Sequence, residues 1–283
     1  MEAHMKRFIV LWLGLLSTAT LTGSSPLTAH TATTTTEKAA TTTETTTTPE
    51  KKTLIDTNSA PADELKSLSA LPPDFMNAIA SLHRGDPQKG TDGGMHKIDT
   101  VTGISMDDGL QIYNLVRKVK PKKTLEVGFA YGVSTMYFLA ALQANGFGSH
   151  IAIDPYEVQD WNGIGLMKVK EVKMEDSFEF IPERSHPALA KLADKKLTFD
   201  VMFIDGDHRY DTAFADFVLA DALCPKGGYI LFHDTWMGSV QRIISFIEKN
   251  RLDFTRRPSS AVNIAIFQKT SDDNRPWDHY NDF

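Results

Sequence analysis

The chain has 283 residues, 41% of them hydrophobic and 23% charged, so it is long enough for one substantial α/β domain with additional segments. Its formal net charge of −6 argues against a nucleic-acid partner and favours a small molecule. The single cysteine, Cys224, excludes a disulfide within the chain and argues against a structural zinc cluster.

The first 53 residues carry two segments outside the expected domain. Residues 1–27 place basic residues before the apolar run Phe8–Leu16, which predicts a signal peptide or, alternatively, an uncleaved membrane anchor. Residues 28–53 are rich in threonine and lack apolar periodicity, which predicts a disordered linker. We therefore expect an exported protein (periplasmic, secreted or lumenal) or one tethered to a membrane by its N-terminus.

Residues 54–120 are predicted to form a mainly helical N-terminal extension or lid. Within it, the glycine-rich stretch 90–94 predicts a flexible loop. Ser105 precedes apolar residues at near-helical spacing, which predicts a capped helix. That helix should pack on a sheet and deliver the chain to the first strand of the main domain.

From residue 123 onward, strand-like and helix-like segments alternate, the pattern of a parallel sheet covered by helices on both faces. After residue 253 the alternation ends in a predicted closing hairpin. We place the main domain at 121–270 and a polar C-terminal tail at 271–283, whose aromatic residues could dock on the body or on a second copy of the chain. The predicted strands are 123–128, 149–153, 177–181, 199–204, 227–233, 254–257 and 262–268, and the predicted helices lie near 133–144, 163–173, 186–193, 210–223 and 238–250.

A glycine turn follows the first predicted strand. Its spacing, Glu126-x-Gly128-x-x-x-Gly132, is one residue wider than the G-x-G-x-x-G of a dinucleotide site and begins with a carboxylate. Glu126 would repel a pyrophosphate and attract the ammonium of an aminoacyl ligand. With Tyr131 inside the turn and Ser134 at the helix start, where N–H groups are free, this segment favours S-adenosylmethionine over NAD.

Two further strand ends carry candidate cofactor contacts. Asp154 ends the second strand, where a carboxylate can accept hydrogen bonds from both hydroxyls of a ribose. Ser185 follows the third strand, where it could contact the adenine edge or serve as the N-cap of the next helix.

Two polar blocks follow neighbouring apolar strands, and they begin at Asp205 and at His233. Because the carboxyl ends of parallel strands meet at one edge of a sheet, these side chains should converge there. We predict Asp205, His233 and Asp234 as ligands of a divalent metal, Mg²⁺ first, with Mn²⁺ or Ca²⁺ as alternatives. Asp205 is also a predicted cofactor contact.

His208 follows Asp205 by three residues and has an ordinary pKa near neutrality, so it is our candidate general base for a substrate hydroxyl; a structural histidine is the alternative. Asp211 and Asp216 fall on the next predicted helix. A solvated helix face or a cap explains both of them.

Together these motifs resemble the class I S-adenosylmethionine-dependent methyltransferases. The resemblance lies in the E-x-G-x-x-x-G-x-S turn, the acid Asp154, the I-D-G-D-H-x-Y block and the G-G-x-x-x-x-H-D strand, and it covers about 100–268. The chain is similar to the group that includes macrocin O-methyltransferase and the cephalosporin-hydroxylase-like proteins, distant relatives of catechol O-methyltransferase.

The resemblance implies a Rossmann-like α/β fold, a seven-stranded and mostly parallel sheet with an antiparallel last strand and helices on both faces. It implies metal ligands at Asp205, His233 and Asp234 and a catalytic histidine at His208. The expected activity is methyl transfer from S-adenosylmethionine to a small-molecule hydroxyl, dependent on a divalent metal. Segments 90–106 and 155–170 are candidate acceptor contacts, although ordinary packing explains them equally well.

Two other functions stay open. A hydroxylase-like metal enzyme would use two histidines and one carboxylate, which His208, His233 and Asp205 supply. A non-catalytic, tethered binding domain is the third hypothesis, because an exported protein would meet little S-adenosylmethionine.

Overall fold

A computed structural model describes residues 68–283. The predictions for residues 1–27 and 28–53, and for the first part of the 54–120 extension, lie outside the described residues. Within the described part of the chain the longest helices have 14 residues, and no helix has the length and apolarity needed to cross a bilayer.

The described chain begins with a 3₁₀ turn at Leu68–Ala70 and helix α1 at Pro73–His83. The strands β1 (Gln88–Lys89) and β2 (Met95–His96) then pair as an antiparallel hairpin. The stretch 90–94, predicted as a loop, is the tip of this hairpin. The two flanking strands were not predicted, because strands of two residues are too short to show an alternating pattern.

Helix α2, Met106–Val119, begins where the sequence predicts. The Ser105 hydroxyl accepts a hydrogen bond from the Asp108 N–H, and the Asp108 carboxylate accepts one from the Ser105 N–H. This reciprocal capping box satisfies backbone donors at the helix start. The helix leads directly to the main sheet.

Seven strands and five helices follow in alternation until the closing hairpin. In chain order they are β3 (Lys123–Val127), α3 (Val133–Asn145), β4 (Ser149–Ile153), α4 (Ile164–Glu171), β5 (Phe178–Ile181), α5 (Ser185–Asp194), β6 (Val201–Ile204), α6 (Tyr210–Leu223), β7 (Tyr229–Phe232), α7 (Gly238–Asn250), β8 (Phe254–Arg257) and β9 (Ala265–Lys269).

The sheet order is β5-β4-β3-β6-β7-β9-β8. All neighbouring strands from β5 to β7 pair in parallel, and β9 pairs antiparallel with both β7 and β8. The seven-stranded, mostly parallel sheet with an antiparallel last strand is therefore confirmed. Strand order reverses between β3 and β6, and ligands of open α/β sheets bind at such a reversal, beyond the carboxyl ends of the strands.

The core forms two apolar layers, one on each face of the sheet. Helix α3 is buried from Val133 to Leu142, with apolar residues on every side. Such a helix must be covered all round, and α1 and α2 contribute to the same apolar cluster as α3. The helices that precede the first strand of the sheet thus complete one core layer.

Candidate active site

A cavity of about 600 Å³ lies at the carboxyl ends of the central strands, at the reversal of strand order. Its size is in the usual range for small-molecule sites, about 300–1,000 Å³. Most of the predicted site residues line it, namely Gly128, Tyr131, Ser134, Asp154, Ser185, Asp205, His208 and Asp234. The other three, Glu126, Gly132 and His233, lie outside its lining.

The glycine turn is pressed against the end of β6. Gly128 has φ +94°, and a Cβ added there would lie 2.1 Å from the carbonyl oxygen of Asp205. The Gly128 N–H donates to the Ile153 carbonyl (3.0 Å), and the Asp205 N–H donates to the Val127 carbonyl (2.9 Å). These contacts hold the turn beside Asp205. The predicted cofactor-binding turn and the strand end that carries the predicted metal ligand Asp205 are therefore in direct contact.

Asp154 holds the shape of the same turn. Its Oδ2 accepts hydrogen bonds from the N–H groups of Phe129 and Ala130, both at 3.0 Å, and its Oδ1 accepts one from Tyr156 at 2.8 Å. A carboxylate offers about four acceptor positions, so one remains for a ligand in the cavity. The ribose contact of Asp154 stays a prediction. Its hydrogen bonds to the backbone of the turn are a second role, which the sequence did not predict.

Glu126 points away from the cavity. Its neighbours Leu125 and Val127 belong to the opposite core layer, so strand alternation turns Glu126 toward α3. There its fully buried carboxylate accepts a hydrogen bond from the Thr135 hydroxyl and lies 3.5 Å from Nε2 of His150. The structure therefore does not bring Glu126 to the position that we expected for a contact with the ligand's ammonium.

Gly132 also serves packing at this point. It precedes α3 with φ +76°, and a Cβ there would lie 3.0 Å from the Cα of Gly165 in α4. Tyr131, the residue before it, does line the cavity. Its hydroxyl donates to Asp99 at 3.3 Å, and its ring meets Trp161 edge to face at 5.1 Å between centroids.

Ser185 lines the cavity as the first residue of α5. The N-cap position belongs to Arg184, so of the two alternatives for Ser185 the capping role is not the one observed. The Arg184 guanidinium donates to the Tyr156 hydroxyl at 3.1 Å, and both of these side chains line the cavity as well.

The carboxylates of Asp205 and Asp234 form a cluster with the imidazole of His208, in which one potential ligand atom from each lies within 4.8 Å of the others. His208 Nε2 is 2.9 Å from Asp234 Oδ2 and 3.5 Å from Asp205 Oδ1. The two carboxylates raise the pKa of His208 to about 9. Asp234 has φ +52°, and strained backbone of this kind gathers at functional sites.

His233 lies behind the cluster, with its side chain only 8% exposed. Its Nδ1 is 3.1 Å from Asp205 Oδ1, and its Nε2 is 3.4 Å from Asp108 Oδ2. Burial would lower the pKa of His233, yet these two carboxylates raise it to about 12. The structure thus places His208, rather than His233, in the group of potential ligands, and both ring nitrogens of His233 face carboxylates.

Three contacts of this cluster were missed from the sequence. Asp108 seemed only a helix-cap residue, although its carboxylate also faces His233. The Asn263 amide donates to Asp234 Oδ1 at 3.1 Å, and the Trp236 indole N–H donates to the same oxygen at 2.9 Å. Neither pattern nor spacing pointed to Asn263, because it approaches Asp234 only when β8 and β9 close the sheet.

Comparison with known families gives a domain match. The family described as "Methyltransferase domain" matches residues 125–235, which run from β3 to the loop after β7. This segment contains the glycine turn, Asp154 and the cluster of Asp205, His208 and Asp234. The match therefore covers the candidate site itself.

Two curated plant proteins are similar in sequence. Flavonoid 3′,5′-methyltransferase of Vitis vinifera is 30% identical over 165 residues, 57% of this chain and 66% of that protein. Caffeoyl-CoA O-methyltransferase of Populus kitakamiensis is 27% identical over 187 residues, 61% of this chain and 76% of that protein. The chain thus spans just under two thirds of the first relative and about three quarters of the second.

Two solved structures share the fold. The O-methyltransferase TomG of Streptomyces achromogenes, in complex with SAM, has a TM-score of 0.57 at 18% identity, over 77% of this chain and all of that chain. The O-methyltransferase of Bacillus cereus, in complex with SAH, has a TM-score of 0.55 at 17% identity, over 75% of this chain and all of that chain. At these identities the likeness concerns the fold alone.

Proposed function

We propose that this class I S-adenosylmethionine-dependent methyltransferase transfers the donor's methyl group to a hydroxyl oxygen of a small aromatic acceptor, beside a divalent cation. The observation that carries the proposal is that the cluster of Asp205, His208 and Asp234 lines the same cavity as the glycine turn. A donor held on the glycine turn would have its reacting group near that cluster. The names of the two plant relatives, which concern a flavonoid and caffeoyl-CoA, suggest the aromatic acceptor.

The lining of the cavity suits S-adenosylmethionine. Gly128 holds the glycine turn against the end of β6, beside Asp205, and Asp154 keeps acceptor capacity for a ribose. The two solved relatives are described in complex with SAM and with SAH. When bound, this cofactor supplies an already activated methyl group, so the protein's main task is to align the acceptor oxygen with it.

The cluster also suits one divalent cation. Two carboxylates and an imidazole offer ligand atoms close enough together for a single ion, and carboxylate oxygens suit Mg²⁺. Asp205 and Asp234 would hold the ion, and its chemistry would be to lower the pKa of the acceptor hydroxyl. His233 stays a predicted ligand, with both ring nitrogens already engaged.

Asp205 and Asp234 raise the pKa of His208 to about 9, which keeps a proton on the imidazole. With a cation held by these two carboxylates that effect would be opposed, and Nε2 of His208 would be free to take the acceptor's proton. The side chain is 33% exposed and lines the cavity, so an acceptor can reach it. Asp205 and Asp234 face this nitrogen and would stabilise the imidazolium that forms. The role is that of a general base at the site of methyl transfer.

Trp236 lies beside the cluster, outside the lining of the cavity, and would form the acceptor side of the site. Its side chain is among the exposed large hydrophobic groups at 68%, and its indole N–H is tied to Asp234. A planar ring fixed beside the cluster can stack on an aromatic acceptor. Val262, which is 84% exposed, lies on the adjoining segment, where its carbonyl accepts a hydrogen bond from Thr235.

The proposal is tested with methyl-labelled S-adenosylmethionine and catechol as the acceptor, in Mg²⁺. Asp234→Asn should lower turnover by about a hundredfold or more, while its affinity for S-adenosylhomocysteine stays within about threefold of wild type. Asp211→Asn, an exposed carboxylate on α6, is the matched control and should keep wild-type turnover. Wild-type turnover in Asp234→Asn, or a loss of S-adenosylhomocysteine affinity as large as the loss of turnover, would contradict the proposal.

A second variant separates the two roles that His208 could have. His208→Gln should lower the catalytic rate about a hundredfold while Mn²⁺ affinity changes by less than about threefold, because a base acts on the proton and not on the ion. Equilibrium dialysis with Mn²⁺ measures the second quantity. A large loss of Mn²⁺ affinity would make His208 a metal ligand instead.

A further inference from the structure

One carboxylate behind the cavity is poorly satisfied in the described structure. Asp216 lies on α6 and is fully buried, and neither of its oxygens accepts a hydrogen bond of good geometry, although Ser185 and His186 lie close to it. The sequence had suggested a solvated face or a cap, and the structure corrects this, because α5 packs over that side of α6. A buried polar group without a partner costs about 1–3 kcal/mol, more if charged, so such groups are rare and call for an explanation.

The nearest donors belong to residues of the cavity wall. His186 Nε2 is 3.5 Å from Asp216 Oδ1 and lies 3.1 Å from the Thr212 carbonyl. Burial raises the pKa of Asp216, while Ser185 and then His186 act in the opposite direction. Ser185, His186 and Thr212 all line the cavity, and Thr212 stands one helical turn before Asp216. Asp216 therefore lies one layer behind this part of the wall.

The position of these residues identifies the part of the ligand that they meet. The glycine turn follows β3, Asp154 follows β4, and Ser185 follows β5, in the order in which the three strands adjoin in the sheet. With the aminoacyl group on the turn and the ribose at Asp154, the purine comes next, beside Ser185 and His186. This assignment rests on the proposed function.

We propose that Asp216 is a positioning residue for the purine end of the methyl-donor site, acting by holding Ser185 and His186 in the orientation that contacts adenine. A bound purine would fix the side chains of Ser185 and His186 in one orientation. In that orientation both side chains would donate hydrogen bonds to the Asp216 carboxylate. Purine binding and the contact with Asp216 then favour each other, as two coupled equilibria do. The cost of the unsatisfied carboxylate is thereby linked to cofactor affinity.

The test is isothermal titration of the full chain with S-adenosylhomocysteine and, separately, with adenosine. Asp216→Asn should weaken both affinities by about tenfold, a typical size for coupling between sites. Its Tm should equal or exceed that of wild type, because a neutral amide costs less to bury than a poorly satisfied carboxylate. Asp211→Asn makes the same chemical change on an exposed part of α6 and should stay within about twofold of wild type.

A double-mutant cycle distinguishes positioning from a general effect on folding. His186→Ala should weaken adenosine binding, and combining it with Asp216→Asn should add little, since both variants remove one shared arrangement. Additive losses, or wild-type affinities in Asp216→Asn, would overturn this inference alone. A wild-type chain that binds neither compound would overturn the proposed function and this inference with it. If Asp216→Asn does not fold, Ser185→Ala replaces it in the cycle with the same expectation.

Discussion

Replacing Gly128 by alanine should damage the fold and the cofactor site together. The residue has φ +94°, where side chains are strained, and its added Cβ would meet the Asp205 carbonyl oxygen at 2.1 Å. That atom belongs to the backbone at the end of β6, so it cannot rotate out of the way. The turn or the strand end must move instead, and Asp205 moves with it.

The size of the effect follows from the two contributions. Positive φ costs a non-glycine residue about 1–2 kcal/mol, and overpacking a fixed contact typically adds about 1–3 kcal/mol. We therefore expect Gly128→Ala to lower the free energy of unfolding by about 3 kcal/mol or more. Gly146→Ala isolates the first contribution, because Gly146 has φ +79° but no atom within 4 Å of an added Cβ. It should cost about 1 kcal/mol.

Urea denaturation measures both variants, and titration with S-adenosylhomocysteine measures binding in the variant that stays folded. Gly128→Ala should bind at least about tenfold more weakly, since the turn that approaches the ligand is displaced. Gly146→Ala should bind as wild type does. Equal destabilisation of the two variants, or normal binding by Gly128→Ala, would refute the reasoning.

Three further variants probe the surroundings of the site. Asp108→Asn should weaken Mn²⁺ binding by about tenfold, because Nε2 of His233 loses the carboxylate that faces it. Asp107→Asn makes the same change at an exposed position on the same helix turn and should leave dialysis with Mn²⁺ unchanged. Burial raises the pKa of Glu157 from 4.5 to about 9, so the unfolded chain ionises first and stability is lost as pH rises from about 4.5 through 9. Glu157→Gln should remove that loss. The free energy of unfolding from urea denaturation should therefore rise in the variant, relative to wild type, between pH 5 and pH 9. The same difference in unfolding free energy at both pH values would contradict a buried, neutral carboxyl. Trp236→Ala should raise the KM for catechol by about tenfold with the affinity for S-adenosylhomocysteine unchanged, and an unchanged KM would remove the indole from the acceptor site.

The sequence predicted the main sheet well because its local patterns agree with the fold. The strands at 149–153 and 254–257 and the helices at 210–223 and 238–250 have the predicted bounds. Buried parallel strands are continuous apolar runs, and the turns between them carry glycine or polar residues, so the alternation is visible without any long-range information. The short hairpin of β1 and β2 has no such period.

Side-chain directions at the site were harder to predict. Glu126 is the next-to-last residue of β3, close to a sharp turn, and the face on which it lies depends on how α3 covers the sheet. The sequence predicted His233 as the histidine of the ligand cluster, whereas the structure places His208 there, and the cause is similar. His233 is turned by Asp108, which comes from a helix 125 residues earlier in the chain. Contacts of that separation leave no local pattern.

Asp216 shows the same limit on a helix. Its position among apolar and polar residues of α6 fits an exposed face as well as a buried one. Burial there depends on α5, which packs against α6 across the Ser185 and His186 end of the cavity. The sequence therefore located the strand ends that carry the chemistry, while the tertiary packing decided which side chains face it.

The most direct test of a methyl-donor site beside a metal centre is titration of the full chain with S-adenosylhomocysteine, combined with Mn²⁺ binding to wild type and to Asp234→Asn. We expect one S-adenosylhomocysteine per chain for both proteins, and Mn²⁺ binding that is at least about tenfold weaker in the variant. Absence of S-adenosylhomocysteine binding to wild type would contradict the assignment of the cavity. Equal Mn²⁺ affinity in the two proteins would contradict the assignment of the metal centre.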